Sequence, residues 1–407
     1  MRWPLRPVSE LCEFAIDCVN KTAPVVDGPT PYKMIRTTNV KGGFIDVDDV
    51  RYVSKDTFEK WTRRSRPRYG DVVLTREAPV GEVGRCTFGD EENIFLGQRL
   101  FHYRPNAELL DWNYLSYVLQ SAEVQGRLQG RAFGATVPHV KVGDAGTLLI
   151  PCPPLDEQRR IGRILADYDD LIAINQRRIQ LLEDAARRLY REWFVNLRFP
   201  GHASTSVMSG VPKGWEKCTL GDLAGIVMGQ SPESKFYNVD GEGLPFHQGV
   251  TNFGFRYVNH ETFTTQATRV AEAGDILCSV RAPVGRLNLT RDRIAIGRGL
   301  SAIRSRTSHQ SLLLYQLKAL FVQEDMIGGG AIFNSVGKKE LFAQPLLQPS
   351  AAIASEFNRL ASMIDDQINT LDKQVWQLME ARDLLLPRLM SGQLDVSGII
   401  LPEEIAA

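Results

Sequence analysis

The sequence predicts an α+β protein. Two duplicated, strand-rich domains are separated by two long helices that pair as an antiparallel coiled coil, in a pseudo-twofold arrangement. Three observations carry this expectation. The 407-residue chain repeats itself with a period near 200 residues. Each repeat ends in a long segment with apolar residues spaced alternately three and four apart. The stretch before each such segment holds short β-like runs punctuated by Gly and Pro.

The repeat is clearest where Gly70-Asp71-Val72-Val73-Leu74-Thr75-Arg76-Glu77-Ala78-Pro79-Val80-Gly81 aligns with Gly274-Asp275-Ile276-Leu277-Cys278-Ser279-Val280-Arg281-Ala282-Pro283-Val284-Gly285, six of twelve positions being identical. Trp3 matches Trp215, Thr38-Asn39 matches Thr251-Asn252, Gly97 and Leu100 match Gly297 and Leu300, and Gly134-Ala135 matches Gly330-Ala331. From Pro153 onward the offset is a constant 196, so that Asp169-Asp170 recurs as Asp365-Asp366. A period this long is duplication of a whole unit, not a solenoid. The expected layout is a first domain over 1–155, a helix over 156–199, a linker over 200–214, a second domain over 215–349, a helix over 350–394 and a tail over 395–407.

In the domains, Asp71-Val72-Val73-Leu74, Asn93-Ile94-Phe95-Leu96 and Asp275-Ile276-Leu277-Cys278 read as strands, and Asp111 to Leu128 and Ser311 to Gln323 as helical patches. In the first long segment Leu165, Tyr168, Ile172, Ile179, Leu182 and Leu189 form the seam, with Asn175 as a polar member. In the second, Ile364, Ile368, Leu371, Val375, Leu378 and Leu385 hold the same register, with Arg382 polar. Such spacing sustained over about four heptads indicates a coiled-coil seam. Pro153-Pro154 blocks helix before Asp156, and Asp156-Glu157 puts negative charge in the first turn. Pro387 is expected to kink or end the second helix near Leu386.

Composition excludes several classes. Hydrophobic residues at 43% and charged residues at 24% are ordinary for a globular protein and argue against disorder. No apolar run reaches about 18 residues, so no membrane span is expected. The N-terminus lacks the apolar core of a secretory signal, and the six scattered cysteines form no C-x-x-C pair. A cytoplasmic protein with reduced thiols, no disulfides and no metal site is expected. The net charge is zero, but residues 350–407 hold four basic and nine acidic groups, which masks a basic excess elsewhere.

No catalytic constellation is found. G-x-x-x-x-G-K-[ST], H-E-x-x-H and G-x-S-x-G are absent, and the histidines show no metal-ligand spacing. Asp169-Asp170 and Asp365-Asp366 are helical neighbours pointing about 100° apart, which suits solvated or partner-facing positions better than acid–base work. The chain reads as a binder. Basic groups suited to phosphates are Arg63, Arg64, Arg66 and Arg68 in the first domain, and Lys338 and Lys339 in the second. Candidates to read base edges are Asn39, Gln98, Arg99, His139 and Lys141, then His247, Gln248, Asn252, Arg298 and Asn334. A solvated surface is the competing reading of these groups.

At this point the chain resembles the specificity subunits of type I restriction-modification systems over nearly its full length. The carriers are Ile150-Pro151-Cys152-Pro153-Pro154-Leu155-Asp156-Glu157-Gln158-Arg159-Arg160-Ile161, Leu182-Glu183, Trp193-Phe194-Val195, Val211-Pro212-Lys213-Gly214-Trp215, Leu384-Leu385-Leu386-Pro387-Arg388-Leu389-Met390-Ser391-Gly392, and the two Gly-Asp…Ala-Pro-x-Gly segments. The second helix start, Gln348-Pro349-Ser350-Ala351-Ala352-Ile353-Ala354, departs from the Pro-Leu-x-Glu-Gln signature. The resemblance implies two target-recognition domains, each reading half of a split site in double-stranded DNA. It implies helices that space them and dock two methyltransferase subunits, with translocating nuclease subunits joining. S-adenosylmethionine would belong to the methyltransferase, and this chain would hold no cofactor and no catalytic residue. The rival readings are a fused methyltransferase or nuclease, which lacks its Asn/Asp-Pro-Pro-aromatic loop here, and a partnerless coiled-coil scaffold.

Overall fold

The computed structural model describes residues 3–134, 138–321, 326–327, 331–332 and 335–399. Contacts divide the chain into two units: residues 1–176 with 373–407, and residues 177–372. The division falls inside both long helices, so each unit takes a segment of each.

The first unit is built from β1 (Cys12–Asp17), β2 (Lys33–Ile35), β3 (Arg51–Tyr52), the short helix α1 (Lys55–Trp61), β4 (Val72–Arg76), β5 (Val80–Arg85), β6 (Ile94–Leu96) and β7 (Leu100–Pro105). An antiparallel sheet has the order β1-β7-β4-β5, and a smaller one the order β3-β2-β6, with β2 and β6 parallel. Successive strand residues point to opposite faces. Val72, Leu74, Phe101 and Tyr103 accordingly join one core with helix α2 (Trp112–Gln120), through Tyr114, Leu115 and Val118. Val73 and Leu100 join another with Ile35, Ile94 and Leu96 of the small sheet. The helical patch over 111–128 is two helices, α2 and α3 (Ala122–Gln129), broken at the extended Ser121. Strand Leu5–Pro7 pairs with Leu149–Pro151 and closes the domain just before helix α4 (Leu155–Tyr190).

The start of α4 explains the signature there. Gln158 is buried, its amide donating to the carbonyls of Leu109 (3.1 Å) and Pro153 (2.9 Å) and its oxygen accepting from the Asp111 amide (3.0 Å). It satisfies backbone groups that burial would otherwise leave unpaired. Ile161 and Leu165 of α4 share the first core with Leu389, Met390 and Val396.

The second unit contains β8 (Ala224–Met228), β9 (Leu244–His247), β10 (Ile276–Ser279), β11 (Leu287–Leu289), β12 (Ile294–Ile296) and β13 (Leu300–Ser305). The antiparallel sheet order is β8-β13-β10-β11, and β9 pairs in parallel with β12 in a second sheet. Ile276, Cys278 and Ile303 pack with Leu313, Leu314 and Leu317 of α5 (Gln310–Leu320), while Leu277, Leu300 and Ala302 face Ile294 and Ile296. Strand Glu216–Thr219 pairs with Pro345–Gln348 and leads into α6 (Ala351–Met390).

The seam positions lie inward. Leu165, Ile172, Ile179, Ile368, Leu371 and Val375 are buried, as is the polar Asn175. Tyr168, Leu182, Leu189, Ile364, Leu378 and Leu385 are half-buried. Two expectations are corrected, the end of the first long helix and the stop at Pro387. Helix α4 stops at Tyr190 and passes through a wider turn over Arg191–Val195, so it does not reach residue 199. The linker contains a hairpin, Val207–Met208 with Val211–Pro212, turned by Ser209 and Gly210, both at positive φ. Of the two outcomes expected at Pro387, a kink or an end, the end near Leu386 does not occur: α6 runs on to Met390. A proline in the penultimate turn loses one donor while the packed Leu389 and Met390 hold the turn in place. Among the described residues no helix is long and apolar enough to cross a membrane.

Candidate nucleic-acid interface

In the first unit, loops gather at the sheet end where β4 finishes and β7 begins. The turn Gly97-Gln98-Arg99 is set by Arg99 at φ 71°, with the Arg76 amide donating to the Arg99 carbonyl at 2.9 Å. The Arg99 guanidinium meets Glu77 at 3.3 Å, and the Thr22 hydroxyl donates to the Gln98 side chain at 3.3 Å. His139 bridges to the backbone of Glu77 and Phe133, and the Lys141 ammonium lies 4.6 Å from the Phe133 ring centre. Gln98, Arg99, His139 and Lys141 therefore share one end of the domain, His139 and Lys141 being exposed.

Asn39 is withdrawn from that surface. It is buried, its oxygen accepting the Arg36 amide (2.9 Å) and its amide donating to the Asp49 carbonyl (2.7 Å), so its polar groups are spent within the fold. The dense basic run is also engaged. Arg64 pairs with Asp17 at 2.9 Å and Arg68 with Glu13 at 3.6 Å, both partners on edge strand β1. Arg66 bonds the Asp90 carbonyl and the Asn93 side chain. Arg64 and Arg68 lie along an outer edge of the sheet and Arg66 against the loop before β6; Arg63 is exposed.

The second unit builds the corresponding turn differently. Gly297-Arg298-Gly299 joins β12 to β13. The Arg298 amide donates to the Ser231 hydroxyl (3.2 Å), which donates to the Gln248 side chain (2.7 Å). The Gly299 amide donates to the Gln248 carbonyl at 3.1 Å. The chains cross closely: a Cβ at Gly229 would sit 2.1 Å from the Gly297 carbonyl oxygen. Ser231, Gln248 and Arg298 thus form one polar surface. Lys338 and Lys339, exposed on a short helix, follow Val336, whose amide bonds the Val280 carbonyl (2.9 Å) in the turn after β10.

His247 is not on this surface. It is buried, its Nε2 3.0 Å from His260 Nδ1, and His260 Nε2 is 3.1 Å from Asp292. Burial, then the neighbouring His260, brings the His247 imidazole down to about 4, so it is neutral at pH 7. Its backbone serves instead, accepting the Gly297 amide at 2.8 Å. Asn252 stands on a different turn, its carbonyl accepting the Asn259 amide. Asn334 lies outside the described residues. Ser231 and Thr22 were not legible as candidates, since short hydroxyl side chains in loops carry no pattern.

A second pair of sites lies where domain meets helix. In the first unit Asp169 of α4 is 1% exposed and accepts from Arg85 (3.1 Å), Arg382 (2.7 Å) and the Tyr117 hydroxyl. In the second, Asp365 of α6 accepts from Arg256 and the Tyr315 hydroxyl (2.9 Å), and Glu183 takes Arg256 and Lys318. Burial raises the Glu183 carboxyl, but Lys318 and Arg256 outweigh it and hold the group below its ordinary 4.5. Of the solvated and partner-facing alternatives, the solvated one therefore fails for the buried Asp169 and the largely enclosed Asp365, while Asp170 and Asp366 are exposed. Sequence spacing gave helical direction but no view of what the domains would press against.

Residues 3–184 match the model of the type I restriction modification DNA specificity domain. The chain is 30% identical to a putative type I restriction enzyme MjaX specificity subunit of Methanocaldococcus jannaschii, over 97% of this chain and 94% of that one. It is 21% identical to the type I restriction enzyme HindI specificity subunit of Haemophilus influenzae, over 80% and 86%. The crystal structure of a type I restriction-modification system S subunit from M. genitalium shares the fold, with TM-score 0.60 at 16% identity over 96% of each chain.

Proposed function

The chain belongs to the family of type I restriction enzyme specificity subunits, and from that premise we propose that it reads a bipartite, asymmetric site in double-stranded DNA, one half-site per recognition domain. The observation that carries this reading is the pair of turns at matching sheet ends. Both follow the strand that joins the small sheet and precede the central strand of the main one, yet one offers Gln98 and Arg99 and the other Arg298 between glycines. The same frame with different donors suits two different half-sites.

The helices are the spacer, paired as an antiparallel coiled coil. Supporting this, Ile161 and Leu165 share a core with Leu389 and Met390 while Asp169 meets Arg382, so the two segments advance in opposite directions. Helices of 36 and 40 residues extend roughly 54 and 60 Å at 1.5 Å per residue, more than the ~34 Å of one DNA turn. Two methyltransferase subunits dock on them; Leu171, Ile174, Leu181, Trp376 and Leu384 are exposed apolar side chains on these helices. The partners bring S-adenosylmethionine and methylate adenine in the cytoplasm, nuclease subunits join them, and this chain holds no cofactor and no catalysis of its own.

The test is long-read sequencing of modified adenines in cells making this chain with its methyltransferase. A split motif with a fixed gap, lost on deleting this gene, is expected. A motif unchanged by the deletion would refute the reading.

A further inference from the structure

The second unit contains a cavity of about 550 Å³, within the range of small-molecule sites. Five cationic residues line it: Arg187 in the last turn of α4, Arg191 in the wider turn that follows, Arg256, Arg286 of the β10–β11 hairpin and Lys318 of α5. Two carboxylates answer part of this charge. Glu183 takes Lys318, Arg256 and, at 3.4 Å, Arg187, and Asp365 takes Arg256. Arg191 is exposed. The Arg256 side chain is 3% exposed, so it adds positive charge to the wall without presenting its Nε to the cavity. The rings of Tyr190, Phe253 and Phe255 line the same cavity, Phe255 being 64% exposed.

This charge is not demanded by the scaffold. At the matching positions of the other repeat Arg286 is Glu82, Lys318 is Gln120, Arg187 is Asp383 and Arg191 is Pro387. A surface serving functions common to both halves would keep its sign in both.

We infer that this cavity binds a nucleoside phosphate, its phosphates on the guanidinium groups and its base on the aromatic wall. Guanidinium forks match phosphate oxygens, and exposed rings stack bases. The site is distinct from the loops assigned to DNA reading and does not depend on that assignment. Binding is also linked to protons. Lys318 faces Glu183 and Arg187 from α4, Arg256 and Arg286 across the cavity, Tyr315 from its own helix, and Asp365 through Arg256. Burial, only partly offset by Glu183, brings its ammonium down to about 8; an added anion favours the protonated form.

The experiment is isothermal titration of the full-length chain with ADP, adenosine and inorganic pyrophosphate, repeated at pH 8.5 in buffers of different ionisation enthalpy. ADP is expected to bind at one site with proton uptake, adenosine and pyrophosphate each at least about tenfold more weakly. Arg191→Glu, at an exposed position, should weaken ADP at least about tenfold, and Arg191→Lys less. Absence of ADP binding would overturn the inference, as would unchanged binding in Arg191→Glu. Pyrophosphate binding as tightly as ADP would overturn the aromatic half of it. Occupation by a DNA duplex in place of ADP would make the cavity a backbone contact and overturn it equally.

Discussion

At the scale of the residue, the two units solve the same problems with exchanged parts. Each sets an aspartate of the long helix against a tyrosine of the preceding short helix, the buried Asp169 with Tyr117 and the half-buried Asp365 with Tyr315. The arginine arrives from different places. The Arg85 amide donates to the Gly43 carbonyl, and the matching Leu289 amide donates to the Arg256 carbonyl, so the arginine has crossed from one member of a bridged pair to the other. Alignment cannot see this, because no arginine column exists. The helix cap behaves likewise. Asp111 caps α2 itself, accepting the Tyr114 amide at 2.8 Å, and Gly162 makes room for it: a Cβ there would meet Asp111 Oδ1 at 2.6 Å. In the second unit the residue matching Gly162 is Asn358, whose side chain accepts the Leu312 amide (3.2 Å) and replaces the missing cap. Two predictions belong here. Asp169→Asn leaves Arg85 and Arg382 short of their partner and should destabilise the first unit by about 3–5 kcal/mol, read as a lowered denaturant midpoint; a shift within error would contradict the assignment. Arg298→Ala should relax one half-site only, by roughly 1–3 kcal/mol per base pair read, and Arg99→Ala the other. Methylation mapping checks both, and equal losses at both halves would dismiss them.

At the scale of the element, the helices were read from spacing and the turns were not. Seam positions predicted at three-four intervals are buried or half-buried along both helices, because a 3.6-residue period keeps them on one side. The turn over 97–99 depends on a left-handed Arg99, and that over 297–299 on glycines lying against Gln248 and Gly229. These are contacts between segments distant in sequence. The helices as spacer make a length prediction. Four residues inserted in both α4 and α6 add about 6 Å, equivalent to about two base pairs at 3.4 Å each. The gap in the methylated motif should lengthen accordingly; an unchanged gap would show that another element sets it.

At the scale of the whole molecule, each unit combines a domain, the beginning of the helix that follows it and the end of the other helix. This pattern ties domain identity to a helix start, Gln158 in one case and the buried Ala354 in the other. The domain over 215–349 should therefore be exchangeable as a cassette. Replacing it with the matching domain of a relative, with α6 left intact, is expected to change one half of the methylated motif and preserve the other half and the gap. Loss of both halves would show that the domains do not read independently.

Helix register, strand identity and family membership were determined by the sequence itself, because each rests on local periodicity or on aligned residues. The tertiary structure alone decided which polar residues remain available. Asn39, His247, Asp169 and Asp365 look like surface chemistry in one dimension, yet each is buried or engaged by partners from remote segments. Arg64 and Arg68 look like a phosphate patch, yet they pair with carboxylates of the sheet edge, and Arg66 holds the loop before β6. Burial and pairing are properties of three-dimensional neighbourhoods, and an unpaired buried polar group is costly enough that the fold recruits whichever residue can reach it.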